Sequence, residues 1–84
     1  MANLSSNLRT KLQNNLSTDV NLIVRLADDP NQRIASIQSR GFTVRRTLSL
    51  ISAVALCGSG SAALDLAKEP WVISIEEDKP VRTM

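Results

Sequence analysis

Histidine and tyrosine are absent, and the 84-residue chain holds one Phe, one Trp and one Cys. Each shortage closes a class of functions. Without His, the Ser–His and Cys–His pairs that activate a nucleophile cannot be built. Most zinc and di-iron sites lose their usual ligand for the same reason. A lone Cys57 forms no internal disulfide, so the fold does not rest on a disulfide framework and a reducing compartment is permitted. Cys57 lies in an apolar run and is expected to be a small buried hydrophobe. Base stacking on a sheet needs aromatics that the chain barely has, Phe42 and Trp71 being the whole supply. The core must therefore be aliphatic, and a core of this size gives only a few kcal/mol of net stability.

Charge of one sign is also missing. Ten basic residues stand against eight acidic ones, for a net charge of +2. A nucleic-acid protein would show a clustered basic face, and none is visible. Arg45 and Arg46 are adjacent, but neighbours on a strand point to opposite faces, so no patch is expected from them. Glu76, Glu77 and Asp78 are contiguous, and on a strand they do not converge on one metal ion. Gly58-Ser59-Gly60-Ser61 has neither the length nor the lysine of a phosphate-binding loop and reads as a turn with a helix cap. No enzyme activity, cofactor, metal or nucleic-acid partner is expected.

Long hydrophobic runs are missing too. Met1 to Leu16 has no continuous apolar segment of the kind an export signal needs. Thr47 to Leu64 carries no charge, but Ser49, Ser52 and the Gly58–Ser61 run make it too polar for a membrane span. A cytoplasmic location and no membrane partner are the expectations; an extracellular one applies if the chain is a piece of an exported precursor. The length suits one domain, monomeric when free.

What is present is a regular alternation of patterns. Leu4, Leu8, Leu12 and Leu16 recur every four residues, which predicts a helix over Ser6 to Asn15. Val20 to Ala27 alternates as a strand, with Leu22, Val24 and Leu26 on one face and Ile23 and Arg25 on the other. Asp29-Pro30 with Gln32 opens a helix that Gly41 closes. Phe42 to Leu50 and Ala53 to Cys57 read as strands, with a turn at Ile51-Ser52. Ala62 to Lys68 reads as a short helix burying Ala63 and Leu66, ended by Glu69-Pro70. Val72 to Glu77 reads as the last strand. The order predicts an α+β fold of ferredoxin-like βαββαβ topology, a four-stranded antiparallel sheet with two helices on one face, plus a short extra N-terminal helix.

Such a fold hosts many functions. The run from Ala62 through Glu69-Pro70-Trp71-Val72 to Glu76-Glu77-Asp78 narrows them. A short helix closing on "charged residue, Pro, any, Val", then a strand ending in "Glu, Glu, Asp", resembles the C-terminal part of subtilisin propeptides and the propeptide-like inhibitors of subtilisin-type serine proteases. The similarity runs without a gap from about Gly41 to Met84. Val20 to Arg40 fits only as strand plus helix, and Met1 to Asp19 has no counterpart. The resemblance implies an inhibitor domain over residues 20–78, with residues 1–19 a helical extension and residues 79–84 a tail.

It also implies a mechanism. The sheet would pack on two surface helices of a subtilisin-type protease, with Glu76 and Asp78 approaching those helices' N-termini, where unpaired N–H groups attract anions. Their two-residue spacing puts both side chains on one side of an extended chain. The tail would enter the cleft as a product does, Met84 filling the first pocket and Val81 the fourth, with Arg82 and Thr83 between them. A folding-helper role toward the cognate protease is part of the same expectation. The competing reading is a non-inhibitory binding or regulatory module that docks through the Leu4-Leu8-Leu12-Leu16 stripe.

Overall fold

A computed structural model of the chain describes residues 3–78. In chain order the elements are β1 (Asn3–Leu4), α1 (Ser6–Asn14), β2 (Asp19–Leu26), α2 (Pro30–Ser39), β3 (Thr43–Leu48), β4 (Ala53–Ser59), α3 (Gly60–Leu66) and β5 (Val72–Glu77), with a single 3₁₀ turn at Ser49–Ile51 between β3 and β4. The fold is α+β, with three helices and one mixed sheet of five strands in the order β1-β5-β2-β4-β3.

Local chemistry sets the helix boundaries. The Ser5 hydroxyl accepts the Leu8 N–H at 3.2 Å and opens α1. The Asp29 carboxylate accepts the Asn31 N–H at 3.0 Å, with Pro30 in the first turn of α2. The Ser59 hydroxyl accepts the Ala62 N–H at 3.2 Å and opens α3. Each cap satisfies one of the N–H groups that a helix start leaves without a partner. After α2, Gly41 takes φ +95°, a conformation that favours glycine.

One face of the sheet holds the core. Val20, Leu22, Val24 and Leu26 of β2, Val54 and Leu56 of β4, and Val72 and Ile75 of β5 cluster with Leu8 and Leu12 of α1, Ile37 of α2, and Ala63 and Leu66 of α3. All three helices thus lie on the same face. Leu12, Leu22, Leu56 and Leu66 have no exposed surface. The leucine stripe of α1 is divided: Leu8 and Leu12 are buried, Leu4 packs on the core from β1, and Leu16 is half exposed. The helical extension is therefore a packed part of the domain.

The elements depart from the sequence reading in several places. The sheet has a fifth strand, β1, which pairs parallel to β5 through Asn3–Ser74 and Leu4–Ile75, so it is mixed rather than wholly antiparallel. Two residues are too few for a periodic signal. The turn after β3 is centred on Ser49–Ile51, with Ser52 in the left-handed region at φ 51°, one step earlier than Ile51-Ser52 suggests. Gly58 makes no turn: it extends β4, and a Cβ there would overlap the Phe42 ring. Gly60 begins α3 directly, two residues earlier than expected, and a Cβ there would overlap the carbonyl oxygens of Leu12 and Asn15. These glycines serve close approach of backbone and ring rather than chain reversal.

Candidate functional site

All three helices of the described residues sit on one face, so no described helix covers the other face of the sheet. Its residues follow from the registers. Across the strands, Glu76 of β5 pairs with Ile23 of β2, Ile23 with Ala55 of β4, and Ala55 with Arg46 of β3. The next row is Ser74, Arg25, Ala53 and Leu48. On the other side lie Asn21, Cys57 and Thr43, with Asp78 beside Asn21, whose carbonyl accepts the Asp78 N–H at 2.9 Å. Cys57 is half-buried on this uncovered face and outside the core cluster, rather than the buried hydrophobe that the sequence suggested.

The face carries one charge on its central strand, Arg25 of β2, and two toward its sides, Glu76 of β5 and Arg46 of β3. Ala53 and Ala55 are covered from solvent by longer neighbours, so β4 is a low strip between β2 and β3. Arg25, Arg46 and Glu76 are exposed, and no ion pair among the described residues involves any of them. Several charges elsewhere are paired within the fold: Lys11 with Glu77, Arg33 with Asp28, and Arg40 with Asp65 and Glu69. Arg33 also lies over the Trp71 ring, 4.8 Å from its centroid.

A β-bulge corrects one expectation from the sequence. The β3–β4 register shifts between Val44 and Arg46, so Arg45 is an extra residue on the strand. The bulge breaks the alternation that would separate Arg45 from Arg46. Both now line one hollow of about 440 Å³ with Asn21 and Asp78. From there Arg45 reaches over β4 and β2 to the Asp78 carboxylate at 3.4 Å. Nothing in the residue types at 43–47 announces the bulge, since Thr-Val-Arg-Arg-Thr continues as a strand in either register.

The two carboxylates singled out by the sequence lie at the same end of β5 in different states. Glu76 is exposed at the side of the uncovered face. Asp78 is held by Arg45 and has a side chain only 23% exposed. Glu77, between them, points to the helix side, where it meets Lys11 of α1. Val81, Arg82, Thr83 and Met84 lie outside the described residues.

Among the described residues no group of three or more His, Cys, Asp or Glu side chains could hold a metal ion, and no helix is long and apolar enough to cross a membrane. No family model matches the chain, and no curated protein is significantly similar to it. The geometry of the sheet face is therefore the ground for any functional reading.

Proposed function

We propose that the chain inhibits a subtilisin-type serine protease, docking by its uncovered sheet face and inserting Val81–Met84 into the active-site cleft as a product does. We read the scaffold as ferredoxin-like: strands β5-β2-β4-β3 are mutually antiparallel, the helices α2 and α3 alternate with them along the chain, and β1 and α1 are additions at one side. The observation that carries the reading is the place of Glu76. Its carboxylate is exposed, outside every ion pair of the described residues, near the end of β5 on a face that no helix covers. A helix N-terminus of a partner offers such an anion unpaired N–H groups and the positive end of its dipole. Asp78 follows two residues later, just past the end of β5, and the proposed tail is the next stretch of chain, so the docked face and the inserted segment adjoin in sequence.

In this reading inhibition needs two things at once. The sheet face supplies a rigid platform, and the tail supplies the segment that occupies the cleft by adding to strand edges there. With Met84 in the first pocket and Val81 in the fourth, the tail keeps substrate out of the cleft. Assistance to folding of the cognate protease follows from the same contacts, because a surface that binds the native state stabilises it by mass action.

The test is the initial rate of a subtilisin-type protease on a chromogenic peptide, titrated with the full chain, with a chain lacking Val81–Met84, and with Glu76→Gln. Dose-dependent inhibition by the full chain, lost on deletion of the tail and weakened by Glu76→Gln, is expected. Equal inhibition by the full and the shortened chain would refute the tail's role. No inhibition by a folded full chain would refute the reading against that protease.

The leucine stripe gives the non-inhibitory reading little support. Its middle members are in the core, which leaves Leu16 as its one exposed large side chain among the described residues.

A further inference from the structure

The uncovered face is self-complementary, and we infer that it pairs with a second copy of this chain. Glu76, Ile23, Ala55 and Arg46 form one row across four strands, an acid at one side and a base at the other. With strands about 4.8 Å apart, the two charges stand about 14 Å from each other in the backbone lattice. Consider two copies face to face, related by a twofold axis that runs along the strands between β2 and β4. That axis exchanges the two sides of the row while keeping the row itself. Glu76 then faces Arg46 of the second copy, and Arg46 faces its Glu76.

The same operation matches sizes. Ile23 faces Ala55, and Arg25 faces Ala53, so the long side chains of β2 lie over the low strip made by β4. In the row of Arg25 and Ala53, Leu48 faces Ser74; in the row on the other side, Asp78 faces Thr43. A twofold axis perpendicular to the strands would instead set Glu76 against Glu76 and Arg46 against Arg46, with like charges opposed. Complementarity thus selects one of the two face-to-face arrangements. Stacked sheets of this kind sit about 10 Å apart with strands about 30° from aligned.

One charge opposes the pairing: Arg25 of β2 lies over Ala53 of the second copy, one strand from that copy's Arg25, with no carboxylate opposite. Arg45 is committed to Asp78 across the hollow, and Asp19 lies at the far end of β2, beside Ser59. Edge-to-edge growth of the sheet is opposed on the β3 side, where the bulge and two arginines interrupt the edge.

Size sets the strength. Four strands of about seven residues present about 400 Å² of flat surface per copy. Two copies together bury somewhat less than the roughly 1,200 Å² of a standard stable interface. The dimer is therefore weak, with Kd in the tens to hundreds of micromolar. It also uses the face assigned to the protease, so dimer and complex exclude each other; the pairing itself does not depend on the inhibitor reading.

Sedimentation equilibrium of the full chain up to about 500 µM in low salt tests the inference. A monomer–dimer equilibrium is expected for the wild type. Arg46→Glu alone, and Glu76→Arg alone, each oppose like charges at two symmetric places and should weaken the dimer at least tenfold. The double variant Arg46→Glu, Glu76→Arg restores both contacts with reversed sign and should return Kd to within about threefold of the wild type. Far-UV circular dichroism of each variant shows that it is folded. A folded wild type that stays monomeric over the whole range would overturn the inference. So would a dimer indifferent to either single reversal, or a folded double variant no stronger than the single ones. Protease inhibition measured at nanomolar chain, far below the dimer's Kd, reports on the inhibitor reading separately.

Discussion

Replacing Gly60 by alanine should destabilise the protein, although alanine is the better helix former. Gly60 opens α3 at the point where α1 crosses it. Its N–H donates to the Asn15 carbonyl at 3.1 Å, and the next N–H, of Ser61, donates to the Leu16 carbonyl at 3.2 Å. A Cβ on residue 60 would overlap the carbonyl oxygens of Leu12 and Asn15, which are backbone atoms and cannot swing aside. The end of α1 must then move away from α3. Helix propensity favours alanine by at most about 1 kcal/mol. Against this stand the weakened Gly60–Asn15 bond, about 1 kcal/mol, and overpacking, about 1–3 kcal/mol. The net loss is about 2 kcal/mol, and for a domain of this size that lowers Tm by roughly 10–15 °C. Thermal unfolding followed by circular dichroism measures it, with Ser61→Ala as the control: Ser61 is exposed on the same turn, and its Tm should hold or rise slightly. A Tm for Gly60→Ala equal to or above the wild type would refute the close approach of α1 and α3.

Three further outcomes follow from the packing and charges. Leu12→Ala should cost about 2–5 kcal/mol and Leu16→Ala no more than about 0.5 kcal/mol in urea unfolding, because the first is fully buried and the second is half exposed. Arg40→Ala should cost about 1–2 kcal/mol, since this partly buried guanidinium joins the end of α2 to Asp65 and Glu69 after α3; Arg40→Lys should recover only part of that loss, because one ammonium cannot copy a fork that serves two carboxylates. Arg45→Ala should leave stability within about 1 kcal/mol, as its pair with Asp78 is exposed on the Arg45 side, and should strengthen protease inhibition by up to about fivefold by freeing the Asp78 carboxylate; a tenfold loss of inhibition would show instead that Arg45 itself touches the protease.

The sequence makes the elements legible wherever one physical rule acts alone. The alternation in Val20–Leu26 names the buried and uncovered sides of β2 correctly, because only a pleated strand with one face covered needs that period. Asp29-Pro30 and Gly41 bound α2 closely, because capping and left-handed geometry are local requirements. Long-range facts are not written this way. The short strand β1 exists because β5 has an edge for it to join, which no property of Asn3-Leu4 reveals. Gly58 and Gly60 look like turn residues until Phe42 and α1 are in place. The bulge at Arg45 is invisible because Thr43–Thr47 suits either register, yet it decides that two arginines share a hollow. At the candidate site, the strand that ends at Glu77 was readable, and the engagement of Asp78, one residue past it, by Arg45 was not.

The arrangement of helices explains why the site is where it is. A chain this short and this poor in aromatics gains most by concentrating its apolar side chains in one cluster, and α1 joins α2 and α3 on the face where that cluster already stands. Had α1 crossed to the other side, Leu8 and Leu12 would have met Arg25, Arg46 and Glu76, three charges with no ion-pair partner among the described residues to compensate their burial. The charges thus keep the chain's own helices off this face, while a partner that brings complementary groups meets no such penalty. Ile23 supplies apolar surface in the middle of that face, and the charges determine what a partner must carry: donors or a base opposite Glu76, and carboxylates opposite Arg46 and Arg25.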